Sequence, residues 1–141
     1  MLERLVAGAP AAGIDAEHPL DVHVVDPYPA GAGRIWRTAQ SELLWMNSKA
    51  AYVTMWTDET VRMDGPIVPG PSLIEWAEEV RAAGEEPEGR VGEEIRGLQP
   101  HTFPTRQLQS YYLAAVLDRV LADLPPGVRV HMHEALSLIH I

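Results

Sequence analysis

The run Asp21-Val22-His23-Val24-Val25-Asp26, closed by Pro27, reads as a β-strand, being short, β-branched and ended by a residue that cannot donate to a ladder. Its nearly continuous apolar character predicts burial on both faces of a parallel sheet, with Asp26 at the carboxyl end. Outward from it, the strongest helical period begins after Pro104 and Thr105. Leu113, Val116, Leu117, Val120, Leu121 and Leu124 form one apolar stripe that stops at Pro125-Pro126-Gly127. A second β-branched run, Gly127-Val128-Arg129-Val130-His131-Met132, follows at once. Strand, covering helix and second strand predict a crossover back onto one parallel sheet, and hence an α/β fold.

The remaining segments fit around that unit. Leu2, Leu5 and Val6 share a helical face that the Gly8 to Gly13 stretch stops, so a helix ends there and its start is expected upstream. Ser72-Leu73-Ile74-Glu75 has the spacing of a capping box, and Leu73, Trp76, Ala77 and Val80 continue it as a helix ending near Gly84. Gly84 to Gly97 is acidic and punctuated by glycine, which predicts a surface connection. Between Gly31 and Met63 neither period is present, yet Trp36, Trp45, Tyr52 and Trp56 accompany Met46, Met55 and Met63. Such a segment predicts a packed or ligand-covering excursion. Two strands fall short of the usual five or six in a sheet, so the chain is expected to be a piece cut at both ends.

Its 141 residues, 46% of them hydrophobic, suffice for one domain with a core. Eleven basic against twenty acidic residues leave a net charge of −9, which repels phosphate backbones and anionic membranes and argues against nucleic acid as a partner. Every basic residue except Lys49 is arginine, the side chain suited to forked contacts with phosphate or carboxylate. Without cysteine there is no disulfide, thiolate zinc site or thiol nucleophile, and a cytoplasmic location is expected. No apolar run approaches the roughly 20 residues that span a bilayer.

Gly31-Ala32-Gly33-Arg34-Ile35-Trp36 resembles a pyrophosphate-binding turn in composition only. Trp36 stands where a third glycine belongs, and no periodic helix follows. Asp26 is more informative, because an acid at the end of a strand can accept both hydroxyls of an adenosine ribose; the alternative is a strand that simply ends in a polar loop residue. His131 and His133 share a strand face at a spacing compatible with a metal, but further ligands are not evident, and solvated or hydrogen-bonded histidines are expected instead. No serine sits in a nucleophile elbow. Glu85, Glu86, Glu88, Glu93 and Glu94 read as a solvated face.

Taken together, HVVDPYPAGAGRIWRTAQSELLWMN (23–47), GPSLIEWA (70–77) and FPTRQLQSYYLAAVLDRVLADLPPGVRVHMHEA (103–135) resemble the amino-terminal FAD/NAD(P)-binding domain of a flavoprotein family. That family is related to FAD-dependent urate hydroxylase and to aspartate N-monooxygenase (nitrosuccinate-forming) enzymes. The resemblance implies an incomplete Rossmann-like domain over residues 1–135, with the first strand and glycine-rich turn missing upstream. It implies FAD as cofactor, with Asp26 on the adenosine ribose and Gly33, Arg34, Trp36 and Thr38 along the cofactor. Met46 and Asn47 would approach the flavin, Arg106 the phosphates or ribityl chain, and Val128 to His133 the adenine. His131 and His133 receive no metal role. The complete protein would be an NAD(P)H-linked, monooxygenase-like oxidoreductase acting on a small molecule, and the piece alone inactive. Residues 136–141 depart from the family and are expected to be a non-native tail. A rival expectation is a non-enzymatic acidic α/β module that docks a partner protein through Trp36 to Trp56; a third is a histidine-centred metal enzyme.

Overall fold

The computed structural model describes residues 1–136. Helix α1 (Leu2–Gly8) precedes strand β1 (Leu20–Asp26), then come α2 (Leu73–Ala83), α3 (Arg90–Gly97), α4 (Arg106–Ala122) and strand β2 (Val128–Glu134). Of the expected tail, residues 137–141 lie outside the described part. β1 and β2 pair in parallel with no slip, from Leu20 opposite Val128 to Asp26 opposite Glu134. The chain is thus α/β with a parallel sheet, as its strand and helix periods predict. Gly127 sets the start of the ladder. Its φ of 87° and its approach to the Asp15 carbonyl, 1.9 Å from where a Cβ would stand, leave room only for glycine. Its own carbonyl accepts the Leu20 N–H at 2.8 Å.

Burial on both faces of β1 is not what the structure has: its residues alternate between half-buried and exposed. Leu20, Val22 and Val24 share their face with Val128 and Val130, while Asp21, His23 and Val25 lie on the open face with Arg129, His131 and His133. α4 covers only the first face, where Val24 and Met132 look across a hollow of about 390 Å³ at Leu113, Val116, Leu117 and Val120.

The tightest packing lies away from the sheet. Leu73, Trp76 and Ala77 of α2, Ile95 of α3, and Leu108 and Tyr112 of α4 enclose a core with Ala50, Val53 and Leu98. α4 therefore serves two layers, with its amino-terminal half buried in this core and its apolar stripe half-buried along the sheet. The capping box forms as its spacing predicts: the Glu75 N–H donates to Ser72 Oγ at 3.3 Å and the Ser72 N–H to Glu75 Oε2 at 2.8 Å. Gly84, at φ 69°, ends α2.

Two segments between the periodic runs prove ordered. Gly84 to Gly97 is not merely a connection, because α3 occupies its second half and buries Ile95 completely. Val91, Ile95 and Leu98 carry a helical spacing too short to stand out among glycines and glutamates. The segment from Gly31 to Met63 packs as an excursion, tied down by backbone bonds from Met46 to Pro104 and from Ala50 to Thr102, each 2.8 Å. Tyr112 Oη accepts the Met55 N–H at 3.2 Å and donates to the Pro71 carbonyl at 2.8 Å.

Thr105 joins these layers. Its Oγ accepts the Leu108 N–H at 3.1 Å, capping α4, and donates to Glu94 Oε2 at 2.6 Å; its own N–H donates to Glu94 Oε1 at 2.7 Å. The residue is buried, so removing the hydroxyl leaves two groups without a partner. Thr105→Ala is expected to lower the stability of the chain by about 2 kcal/mol, seen as a lower urea midpoint at unchanged slope, while Thr105→Ser restores most of it.

Candidate functional site

Ligands of open α/β sheets bind outside the carboxyl ends of the strands, where loops part and backbone groups are free. Here those ends are Asp26 and Glu134, neighbours across the ladder. They border a hollow of about 230 Å³ whose walls include Val24, Tyr28 and Met132. Asp26 Oδ1 accepts the Tyr28 N–H at 2.8 Å, which fixes the carboxylate. Oδ2 makes no hydrogen bond among the described residues and faces Gly33, where a Cβ would come within 3.5 Å of it. Gly33 also holds φ 60°, a left-handed conformation that suits glycine in so tight a turn.

The same loop continues to a second charged group. Trp36 lies beneath the guanidinium of Arg106, whose Cζ is 5.6 Å from the ring centroid. Arg106 is the first residue of α4, so its positive charge adds to the positive end of the helix dipole rather than offsetting it. Its Nε is buried with no hydrogen-bond partner. A cation against the dipole with an orphaned donor is suited to an anion. Gln107, next in the helix, donates through Nε2 to the carbonyls of Thr38 at 3.0 Å and Gln40 at 2.6 Å, pinning the loop to α4.

Of the residues singled out in the sequence, Asp26 and Gly33 thus meet at the end of β1. Trp36, Thr38 and Arg106 gather at the start of α4, with Met46 tied to Pro104 beside them. Arg34 and Asn47 are exposed and take part in neither group. Gly31 to Trp36 forms turns with no helix after it. Sequence reasoning missed Tyr28, Gln107 and Glu134, and also Arg37, whose Cζ lies 5.7 Å from the Tyr28 ring. Glu134 could have been found only from the register.

The open face of the sheet is polar. Arg129 forks onto Asp21 with bonds of 3.0 and 2.9 Å, and His131 Nε2 lies 2.7 Å from the same carboxylate. Asp21 is consequently lowered from 3.8 to about 2, first by the Arg129 hydrogen bonds and then by His131. His23 stacks between His131 and His133, with ring centroids 4.7 and 5.1 Å away. His23 Nδ1 also lies 2.8 Å from His133 Nε2, so the two imidazoles share a hydrogen bond. Among the described residues no group of three or more histidines and carboxylates could hold a metal ion. No helix among them is long and apolar enough to cross a membrane.

Comparison with known proteins adds the family. A family model described as FAD-NAD(P)-binding matches residues 1–138. An L-aspartate N-monooxygenase (nitrosuccinate-forming) of Streptomyces davaonensis is 43% identical over 141 residues, covering 98% of this chain and 21% of that protein. A nitrosuccinic acid synthase of Aspergillus oryzae is 42% identical over 140 residues, covering 97% of this chain and 19% of its own length. A second L-aspartate N-monooxygenase, from Streptomyces cremeus, is 44% identical over 132 residues, 87% of this chain and 20% of the relative. The chain therefore spans about a fifth of the length of the curated relatives it matches.

The Asp21 pairing yields a pH dependence of definite sign. Because the folded carboxyl titrates below its ordinary value, the stability it adds is present above pH 3.8 and is lost as pH falls towards about 2. Carboxyl NMR titration should give an Asp21 midpoint near 2, and Arg129→Gln should move it up towards 3.8. A midpoint unmoved by that substitution would contradict the assigned cause.

Proposed function

The chain belongs to the FAD-NAD(P)-binding family, and from that premise we propose that it forms the adenosine and phosphate side of an FAD site in an NAD(P)H-linked flavin monooxygenase. The observation that carries this reading is the opposite polarity of the two ends of the 26–38 loop. Asp26 keeps a free carboxylate oxygen at one end, and Arg106 keeps an unpartnered, buried Nε at the other. These suit the two halves of an adenine dinucleotide, hydroxyls on the ribose and negative charge on the pyrophosphate.

Asp26 accepts hydrogen bonds from the ribose hydroxyls, with its geometry set beforehand by the Tyr28 N–H. Gly33 leaves the space beside it open, and Trp36 and Thr38 carry the loop along the ligand. Arg106, backed by the start of α4, binds phosphate oxygens. Its stacking on Trp36 limits the freedom lost when it does so. Met46 and Asn47 lie on the stretch assigned to the flavin side by family resemblance, and Arg34 is the second anion contact on the same basis. The flavin, when bound, supplies the redox chemistry between reduced nicotinamide and oxygen, and the protein orients and shields it.

Relatives named as L-aspartate N-monooxygenases support the amine of an amino acid as the class of small-molecule substrate. The cysteine-free, acidic composition suits a cytoplasmic enzyme.

Flavin absorbance and fluorescence quenching on the full-length protein carrying this domain test the reading. Asp26→Ala and Arg106→Ala are each expected to weaken FAD binding between about tenfold and a hundredfold, the loss of a charge-assisted hydrogen bond. Arg106→Ala should in addition flatten the salt dependence of binding. A folded full-length protein that takes up no flavin would refute the assignment.

A further inference from the structure

Buried polar side chains are normally paired, and the first turns of α4 hold one that is not. Thr105 and Gln109 are both buried there. Thr105 is accounted for by Glu94 and by the Leu108 N–H. Gln109 is only 4% exposed, yet its Oε1 has no hydrogen-bond partner among the described residues. Packing alone does not call for a glutamine, since methionine or leucine fills a similar volume without stranding an acceptor.

The place of Gln109 along the helix is specific. It follows Arg106 by three residues, a spacing that makes two side chains neighbours on a helix surface, with Cβ atoms about 5–6 Å apart. The loop leaving β1 meets α4 on either side of it. Trp36 packs on Arg106, and Gly31 approaches so closely that a Cβ there would stand 3.2 Å from the Leu113 carbonyl. Arg106 thus brings a stranded donor, Nε, and Gln109 a stranded acceptor, Oε1. An ionised phosphate satisfies the first but has no hydrogen to give the second, whereas a hydroxyl donates. Together the two match a phosphate ester whose carbon chain carries hydroxyls. In FAD the ribose hydroxyls belong to the Asp26 end of the loop, and the ribityl chain supplies the others next to the pyrophosphate.

We propose that Gln109 is a cofactor-selecting residue, its Oε1 accepting a hydrogen bond from a ribityl hydroxyl of FAD while Arg106 holds the adjoining phosphate. The inference rests on the reading of this loop as part of an FAD site. Gln109 leaves its acceptor unused in the free protein for the sake of the polyol chain, as Arg106 does its donor for the phosphate.

Fluorescence-quenching titration of the full-length apoprotein with FAD, and with FAD analogues each lacking one ribityl hydroxyl, tests this independently of turnover. Gln109→Met removes the acceptor at similar volume and is expected to weaken FAD about tenfold. One deoxy analogue should already bind the unmodified protein about tenfold more weakly than FAD, and Gln109→Met should leave that analogue within about twofold. The unfolding midpoint of the apoprotein should be no lower in Gln109→Met, because the apolar side chain strands no acceptor. An unmodified protein that binds no flavin would overturn the FAD reading and the proposal with it. FAD affinity unmoved by Gln109→Met, or an equal loss for FAD and every analogue, would overturn the role of Gln109 and leave the FAD reading standing. A midpoint lowered in both Gln109→Met and Gln109→Leu would do the same, since it would assign Oε1 to a partner within the protein.

Discussion

Parallel pairing of β1 with β2 is the constraint from which the rest follows. Parallel neighbours cannot be joined by a tight turn, so the chain must leave the carboxyl end of β1, travel the length of the molecule and return to the amino end of β2. That journey contains the long excursion, α2, α3 and α4. α4 makes the return leg and is the element shared by both layers, since one end of it is sealed in the helical core and the other lies along the sheet. Thr105 and Glu94 fix where that helix starts, and with it the distance between the core and the strand ends.

The departure from β1 and the start of α4 are also where the charged groups that fit a dinucleotide stand. Asp26 ends the outgoing strand, Arg106 begins the returning helix, and the loop through Gly33 and Trp36 touches both. Each group makes one internal contact, Asp26 with the Tyr28 N–H and Arg106 with the Trp36 ring, and keeps a further polar atom unused. A basic residue in the first turn of a helix opposes the dipole, and a carboxylate oxygen without a partner contributes no internal bond. Local rules are broken in this way where a ligand is expected to complete the site. In a chain of net charge −9, an arginine kept in such a position is the more telling.

Much of the fold was legible because it depends on neighbours in sequence. The capping box at Ser72 and Glu75 and the stop at Gly84 involve groups a few residues apart, and they form as their spacing implies. The β-branched runs became strands for the same reason. α3 was missed because its apolar positions are few and lie among glycines and glutamates, so only contact with the core reveals them. The reading of β1 as buried on both faces failed because Val25 and His23 look apolar and neutral in sequence, whereas among the described residues helix α4 covers one side alone.

The sequence by itself determined both strands, helices α2 and α4, their order and the residue types that end them, including an acid at the end of a strand and an arginine opening a helix. These are encoded in periodicity, capping and turn chemistry, which act within a few residues. Only the tertiary structure decided that Glu134 stands beside Asp26, that Arg106 lies over Trp36 with its Nε unpartnered, and that Asp21 is claimed by Arg129 and His131. Each of those meetings joins segments far apart in the chain, and its register is set by the packing of α4 and the strand ladder rather than by any pattern along the sequence.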